Sequence, residues 1–526
     1  MKKEKQMTAP PGADASFAPP RKWKALNWTA IRQQVRRLQM RIAKAIKNSQ
    51  YRRASALQWL LTHSRAAKLL AVRWVTTNRG AKTPGVDNVI WRTDRQKFQA
   101  ADNLKRHGYK PKPLRRHYIL KKNGKLRPLS IPTLHDRAMQ ALHALALMPV
   151  AETLADANSY GFREGRSCAD ALVHLHIALA RKYCATWVLE GDIRACFDEI
   201  SHKWLLQHVL MDKQILHKWL KAGYWEKAQL FPTSQGTPQG GVISPLLANL
   251  ALDGMQKAII RAVSKQGDKV NFVRYADDFI VTGASKELLE QKVKPALTAF
   301  LTPRGLELSE QKTVITHIRT GFDFLGHTVR KFGDKLLTFP AKSNVKALRQ
   351  KISLCIHSAR GLSQEALLLK LNPLMRGWAN YYRHGASKRT FARLDHHVFW
   401  QLLRWAKRRH PNKSAAWKRR KYFSAAAKPG LFSVRLKTGE GRSQVLTLYT
   451  AASTAIQRHI KVRGAANPYD PDYLHYFEQR RRSGRRTWSS EGNTLMPQAL
   501  PHTRIVKHWL APAAACPHLS APVGEA

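Results

Sequence analysis

From Trp28 onward apolar side chains recur at helical spacing among arginines and lysines, with Ile31, Val35, Leu38, Ile42 and Ile46 on one stripe. The pattern predicts a basic amphipathic helix pair reaching about Asn78, preceded by a disordered leader over residues 1–20, where Pro10-Pro11-Gly12 and Pro19-Pro20 leave few large apolar side chains. After the turn-rich segment Asn78-Arg-Gly-Ala-Lys-Thr-Pro-Gly-Val-Asp87, short strand and helix patterns alternate, the mark of a mixed α+β region. Two apolar runs, 118–120 and 126–131, flank Lys122-Asn-Gly-Lys125, and an Asn-Gly turn between such runs predicts a hairpin. Helices are expected over residues 136–151 and 168–183, a strand over 186–189, a helical zone over 202–221, and a Gly/Pro-rich loop over 233–241. A helix over 245–262 and two strands around a tight turn over 271–282 follow. Beyond Lys342 the pattern turns all-helical: Phe391, Leu394, Val398, Leu402 and Trp405 share one helical stripe, read as a core face, and His410-Pro411-Asn412 ends it. Residues 496–526 are rich in Pro and Ala and read as a disordered tail.

Charge changes this picture more than composition does. The 526-residue chain carries 91 Lys and Arg against 34 Asp and Glu, a formal charge of +57, yet is 44% hydrophobic. A folded protein with that excess repels itself unless a polyanion neutralises it, and nucleic-acid phosphates do so while releasing counterions. The cations are concentrated: residues 15–86 and 396–439 contain no Asp or Glu. The longest apolar stretch, 138–151, includes Gln140, His143 and Pro149 and is too short and interrupted to span a bilayer. Cys168, Cys184, Cys196, Cys355 and Cys516 form no C-x-x-C pair, which excludes a disulfide framework or zinc ribbon and fits a reducing cytoplasm. The acid-poor N-terminus has the composition of an organellar transit peptide too, but runs well past the length of one.

The candidate chemistry lies in carboxylates. Asn271-Phe-Val-Arg-Tyr-Ala-Asp-Asp-Phe-Ile-Val-Thr282 places Asp277 and Asp278 side by side between apolar half-strands, where mutual repulsion raises one pKa unless a cation sits between them. Mg2+ takes carboxylate oxygens plus substrate phosphates, and two such ions clamp the attacking and leaving oxygens of phosphoryl transfer. A second strand, Trp187-Val-Leu-Glu-Gly-Asp192, ends in an acid as well, and the Gly236-Thr-Pro-Gln-Gly-Gly241 loop lies between the two in sequence. Strand-end carboxylates in this order match the palm of a template-dependent polymerase.

An ordered series of motifs carries a resemblance. Thr83-Pro-Gly-Val-Asp87, Leu126-Arg-Pro-Leu-Ser-Ile-Pro132, Tyr160-Gly-Phe-Arg163, Glu190-Gly-Asp-Ile-Arg-Ala-Cys-Phe-Asp198, Thr237-Pro-Gln-Gly-Gly-Val-Ile-Ser-Pro245, Tyr275-Ala-Asp-Asp278, Gly305-Leu-Glu-Leu-Ser-Glu-Gln-Lys-Thr313 and Gly321-Phe-Asp-Phe-Leu-Gly326 succeed one another. With Gly377-Trp-Ala-Asn-Tyr-Tyr-Arg383 and Asn467-Pro-Tyr-Asp-Pro-Asp472, the chain resembles the group II intron-encoded reverse transcriptases and maturases over about residues 21–486. The resemblance implies a right-hand polymerase: a basic helical N-terminal extension (21–90), fingers and palm (91–335), a helical thumb or maturase domain (336–430) and a basic nucleic-acid-binding region (431–490), with a tail over 491–526.

It implies as well that Asp192, Asp277 and Asp278 are catalytic and, with Ile193, form the site of two Mg2+ ions. Lys122 and Arg127 would hold the incoming dNTP, Phe197 would gate against a ribose 2′-hydroxyl, and Gln239 and Gly240 would line the nucleotide and template path. Arg36, Arg37, Arg404, Lys407, Arg408 and Arg409 are the expected RNA contacts. The implied partners are an intron RNA, a DNA target and primer, dNTPs and a second copy of the chain, without a membrane, in a bacterial cytoplasmic ribonucleoprotein. Many relatives end in an H-N-H nuclease with two cysteine pairs; only Cys516 follows Cys355, so no endonuclease is expected. Two alternatives share most of these features: a non-catalytic RNA-binding splicing factor that keeps the polymerase fold, and a reverse transcriptase recruited by its host outside an intron.

Overall fold

The computed structural model describes residues 22–120, 124, 126–263, 266–425, 430–437 and 443–489. The leader, Lys122 and the 491–526 tail lie outside the described residues. In place of the expected helix pair the N-terminal region has three helices, α1 (Trp28–Lys47), α2 (Tyr51–His63) and α3 (Arg65–Thr76). The extra break falls at Ser64, whose extended backbone (ψ 128°) separates α2 from α3. After α4 (Asp94–Asp102) come β1 (Leu114–Leu120) and β2 (Leu126–Ile131), paired antiparallel across the expected hairpin. Next is α5 (Leu134–Leu154), started by the Thr133 hydroxyl, which accepts from the Asp136 amide. This is the apolar stretch that is too interrupted for a bilayer. It is buried on nearly every side, packed against α1, α2 and α3. No helix among the described residues is long and apolar enough to cross a membrane.

The palm follows. α6 (Cys168–Leu179) precedes β3 (Trp187–Asp192), and then come α7 (Cys196–Glu199), α8 (His202–His208), α9 (Lys213–Leu220), β4 (Tyr224–Glu226), β5 (Gln229–Phe231), α10 (Ser244–Leu252) and α11 (Met255–Ala262). β6 (Asn271–Tyr275) and β7 (Asp278–Gly283) form the tight hairpin, and short α12 (Lys286–Leu288), α13 (Lys294–Leu301) and β8 (Val314–His317) complete the palm. Its antiparallel sheet runs in the order β6-β7-β3-β8. Strand periodicity sends Leu189, Phe279 and Val281 into one core with α5 and Val188, Ile280 and Val273 into another with α6, so both faces are buried and the strands read as continuous apolar runs. β1, β2, β4 and β5 make a separate fingers sheet in the order β2-β1-β4-β5.

β9 (Phe322–Phe324), β10 (His327–Phe332) and β11 (Lys335–Pro340) lead into the thumb helices α14 (Lys342–Ser358), α15 (Gln364–Tyr382), α16 (Lys388–Arg409) and α17 (Ala415–Phe423). The stripe from Phe391 to Trp405 is buried in the thumb core, as its spacing predicts. The hydroxyls of Tyr381 and Tyr382 donate to the carbonyls of Leu325 (2.8 Å) and Gly326 (3.0 Å), rooting the thumb on the β9–β10 turn. The region beyond Lys342 is not all-helical: β12 (Ser433–Lys437) and β13 (Ser443–Thr447) pair as a hairpin packed on α15. The chain then returns across the molecule. Residues 456–482, which run into α18 (Leu474–Ser489), strap α1 to the palm face that carries α6.

Candidate active site

Three segments bring the carboxylates together. β3 and β7 pair so that Asp192 stands opposite Asp278, and Asp277 occupies the turn between β6 and β7. Close backbone approach fixes both strand ends. A Cβ on Gly191 would lie 2.1 Å from the Phe279 ring, and one on Gly161 2.4 Å from the Ala276 amide nitrogen. Ala276 itself takes a left-handed conformation (φ 59°). Beneath the turn Arg274 is fully buried; its guanidinium donates to the Asp253 carboxylate (2.5 Å), Asn249 Oδ1 (3.2 Å) and the Ala276 carbonyl (3.4 Å). Asn249 in turn donates to the Gly161 carbonyl at 2.8 Å. Burial pushes Asp253 up to about 6, with the Arg274 charge opposing.

Crowded charge governs the three acids. Burial, reinforced by the negative charges of Asp277 and Asp192, pushes Asp278 up to about 7. Burial raises Asp277 too, and the charge of Asp192 adds to it. The Lys312 ammonium lies 2.6 Å from Asp192 Oδ2, the one close cationic partner of that carboxylate among the described residues. Ile193, 2% exposed, buries its side chain and bridges to Leu308, so only its backbone could face an ion. Among the described residues no three His, Cys, Asp or Glu side chains are gathered into a metal cage. The donor set nevertheless suits a hard divalent cation: it is all carboxylate oxygen, and its mutual repulsion is what such a cation relieves.

The residues expected to meet the nucleotide lie on the fingers and the loop beside them. Arg127 Nε donates to Gln239 Oε1 (2.7 Å), and Gln239 Nε2 donates to Asp198 Oδ2 (2.7 Å). The Ser130 amide donates to the Gln239 carbonyl, and a Cβ on Gly240 would lie 2.8 Å from the Ser130 carbonyl oxygen, so the glycine-rich loop is stitched to β2. Phe197 is half-buried on α7, with its ring edge-on to Phe162 at 6.5 Å and its carbonyl accepting from the Thr237 amide.

The expected RNA contacts divide. Arg37, Arg404, Lys407 and Arg408 are exposed. Arg36 is not free for RNA: its guanidinium bonds the Pro468 carbonyl and Glu164 and lies 4.3 Å from the Tyr469 ring centroid. Arg409 donates to the carbonyls of Arg360 and Leu362, spending much of its donor capacity within the thumb. The sequence reading missed Lys312 and the Asn249–Arg274–Asp253 brace. Lys312 and Arg274 fall inside the quoted motifs while Asn249 and Asp253 follow Pro245, and the signal that could have flagged Arg274 was its position between Val273 and Tyr275 on a strand.

Comparison with known proteins places this geometry. A family model described as reverse transcriptase (RNA-dependent DNA polymerase) matches residues 119–329, and one for the N-terminal domain of reverse transcriptase matches 23–104. A third, the maturase-specific domain of group II introns, matches 345–423. The group II intron-encoded protein LtrA of Lactococcus lactis subsp. cremoris is 31% identical over 348 residues, 53% of this chain and 57% of LtrA. Protein YkfC of Escherichia coli (strain K12) is 34% identical over 305 residues, 49% of this chain and 78% of YkfC. A 91 kDa protein in the cob intron of Schizosaccharomyces pombe is 28% identical over 371 residues, 55% of this chain and 46% of that one. Telomerase from Candida albicans aligns with a TM-score of 0.35 at 14% identity, over 61% of this chain and 63% of that one, too slight a likeness to bear on the fold.

Fold and matches together define a reverse transcriptase-type polymerase. More narrowly, the chain belongs to the group II intron-encoded reverse transcriptase and maturase family, and it spans little more than half the length of LtrA.

Proposed function

We propose that the chain copies RNA into DNA and binds a group II intron RNA, whose splicing and mobility it assists, within a cytoplasmic ribonucleoprotein. The observation that carries the reading is the meeting of Asp192, Asp277 and Asp278 at the ends of β3 and the β6–β7 hairpin, opposite Arg127, Gln239 and Phe197. In this reading the primer 3′-hydroxyl oxygen forms a bond to the α-phosphorus of a dNTP, the bond to pyrophosphate breaks, and the hydroxyl proton is lost. Asp192 and Asp277, with Asp278 beside them, would hold Mg2+, which would supply charge stabilisation of the transition state. Arg127 holds the triphosphate and is oriented by Gln239; Lys122 shares that task. Phe197 packs where a 2′-hydroxyl would lie. The exposed cations Arg37, Arg404, Lys407 and Arg408 hold RNA phosphates.

Primer extension by the purified chain on an RNA template, with and without Mg2+, tests the reading. We expect Mg2+-dependent cDNA; no extension on any RNA template would overturn it. Asp277→Ala with Asp278→Ala should abolish cDNA synthesis and leave splicing assistance, because the splicing chemistry belongs to the RNA and the protein contributes only binding energy toward the active RNA fold. Loss of both functions in a folded double variant would refute the division.

A further inference from the structure

Asp198 is an acid that opens onto the nucleotide side of the cleft and has no part in the chemistry proposed above. Its charge alone gives no reason for the position, since a carboxylate beside a triphosphate repels it. The next acid, Glu199, lies 3.4 Å from Arg194, whereas Asp198 is exposed, makes no ion pair among the described residues, and accepts one side-chain hydrogen bond, from Gln239. Desolvation by the surrounding cleft walls pushes its carboxyl up, opposed by the Gln239 bond and the charges of Arg116 and Arg127.

The backbone holds this pair in place. α7 starts from the left-handed Ala195 (φ 40°), whose carbonyl accepts from the Asp198 amide at 2.7 Å. The glycine-rich loop is tied to the end of the same turn: the Thr237 amide donates to the Phe197 carbonyl at 2.6 Å and the Gly236 amide to the Ile200 carbonyl at 2.8 Å. Gly236 is itself left-handed (φ 81°), and a Cβ there would lie 2.4 Å from the Asp198 carbonyl oxygen, so the approach needs glycine. On its far side Gln239 is pinned by the Ser130 amide, which donates to its carbonyl at 2.8 Å. Its side chain therefore spans a fixed gap between α7 and β2.

Polarity decides how the amide fills that gap. A carboxamide has an oxygen that accepts and an NH2 that donates, and a half-turn about the last side-chain bond exchanges them. Ionised Asp198 can only accept, and Arg127 can only donate. One orientation satisfies both, with Gln239 Nε2 2.7 Å from Asp198 Oδ2 and Arg127 Nε 2.7 Å from Gln239 Oε1. The flipped one sets oxygen against carboxylate and NH2 against guanidinium. Both bonds have an ionised partner, which makes them the stronger kind. Without the acid the NH2 end of the amide loses its anchor, and with it the angle at which the oxygen meets Arg127.

We propose that Asp198 is a positioning residue for nucleotide binding: it sets the orientation of the Gln239 amide and, through that amide, the direction of the Arg127 guanidinium toward the triphosphate. The inference rests on the polymerase reading for the identity of the ligand, while the relay itself is argued from the polarity of three side chains.

The test uses the full chain on an RNA template annealed to a DNA primer that ends in a dideoxynucleotide, with Mg2+ present. Nucleotide affinity is then read without chemistry, as the dGTP concentration that half-saturates the stable ternary complex. Primers with a 3′-hydroxyl give KM and kcat in parallel. Asp198→Ala should raise the half-saturating concentration and KM about tenfold, with kcat changed less than about threefold and affinity for the template–primer unchanged. Gln239→Glu should weaken the nucleotide as well, because two carboxylates then meet. Combining it with Asp198→Asn again sets a donor against an acceptor and leaves Arg127 its acceptor, so most of the loss should be recovered. Folding defects would accumulate in the double variant instead. Wild-type nucleotide affinity in Asp198→Ala would overturn the proposal, and so would additive losses in the double variant. An equal loss of template–primer affinity would assign Asp198 to the fold. If the wild type forms the ternary complex but extends no primer, the polymerase reading fails and the relay is still tested by dGTP affinity. If it extends primers while Asp198→Ala binds dGTP normally, the positioning role alone falls; a wild type that does neither removes both.

Discussion

Phe197 sits on a helix of a single turn, its carbonyl accepting from the glycine-rich loop and its ring edge-on to Phe162, so the side chain is held from two directions beside Asp192. Phe197→Ala should therefore open a space without moving the carboxylate, and discrimination against ribonucleotides should fall roughly tenfold or more in a competition between dNTP and rNTP. Unchanged selectivity in an active variant would put the gate elsewhere. Arg274 works from below. Arg274→Met would strand Asp253 and Asn249 inside the protein, and breaking a buried pair from one side costs ~3–5 kcal/mol, read as a lowered denaturant midpoint. A loss under ~1 kcal/mol would mean that the brace is redundant. These residues differ in how legible they were. Adjacent acids between apolar half-strands are costly in any fold, so Asp277 and Asp278 stand out unaided. One buried arginine among 91 basic side chains does not, nor does Lys312, because burial and a partner 120 residues away in sequence leave no local mark. Arg36 was misread for the same reason: on its own helix it belongs to a basic stripe, and only the distant strap claims it.

Elements with strong periodicity or turn chemistry were visible: the Asn-Gly hairpin, the β6–β7 hairpin and the α16 core stripe. The β12–β13 hairpin was not, because each strand is only five residues long and embedded in a helical domain, too short for the alternation of Val434 and Leu436 with Arg435 and Lys437 to stand out from a helix. The strap lacks any regular pattern until α18, and what holds it is a set of point contacts. Asp170, 1% exposed, is the centre of these: with Ser167 it closes the capping box of α6, and it accepts from His459 Nε2 (2.9 Å), the Val462 amide (2.7 Å) and Arg480 (3.2 Å). Burial pushes its carboxyl up, but the hydrogen bonds and charge of His459, with the Ser167 and Val462 bonds, outweigh it and hold the group below the usual carboxylate range. A depressed folded-state pKa contributes stability that is fully present above the unfolded value of ~3.9 and is lost as pH falls through the folded one. Protection factors over residues 456–482, which correct for the pH dependence of intrinsic exchange, should accordingly fall in acid, and Asp170→Asn should reproduce that fall at neutral pH while the thumb amides stay protected. Uniform loosening across the chain would contradict a local clasp.

For the molecule as a whole, a formal charge of +57 with two acid-free stretches commits binding to phosphate neutralisation. Affinity for structured RNA should drop steeply with salt, the slope of log K against log salt reaching several units. A flat dependence up to physiological ionic strength would contradict the electrostatic assignment of Arg37 and of the α16 cations. The strap adds something different, a matter of time. Arg36 and Pro468 touch although 432 residues separate them. At a ribosomal rate of ~5–20 residues per second, the first helix waits roughly 20–90 s for the segment that covers it. Once Asp278 has been made, the nascent chain holds Asp192, Asp277 and Asp278, while Asp170 still lacks the partners that arrive last. A stop codon falling between residues 424 and 455 would freeze that state, releasing a chain that contains every residue of the proposed chemistry and none of the contacts that close the fold on itself.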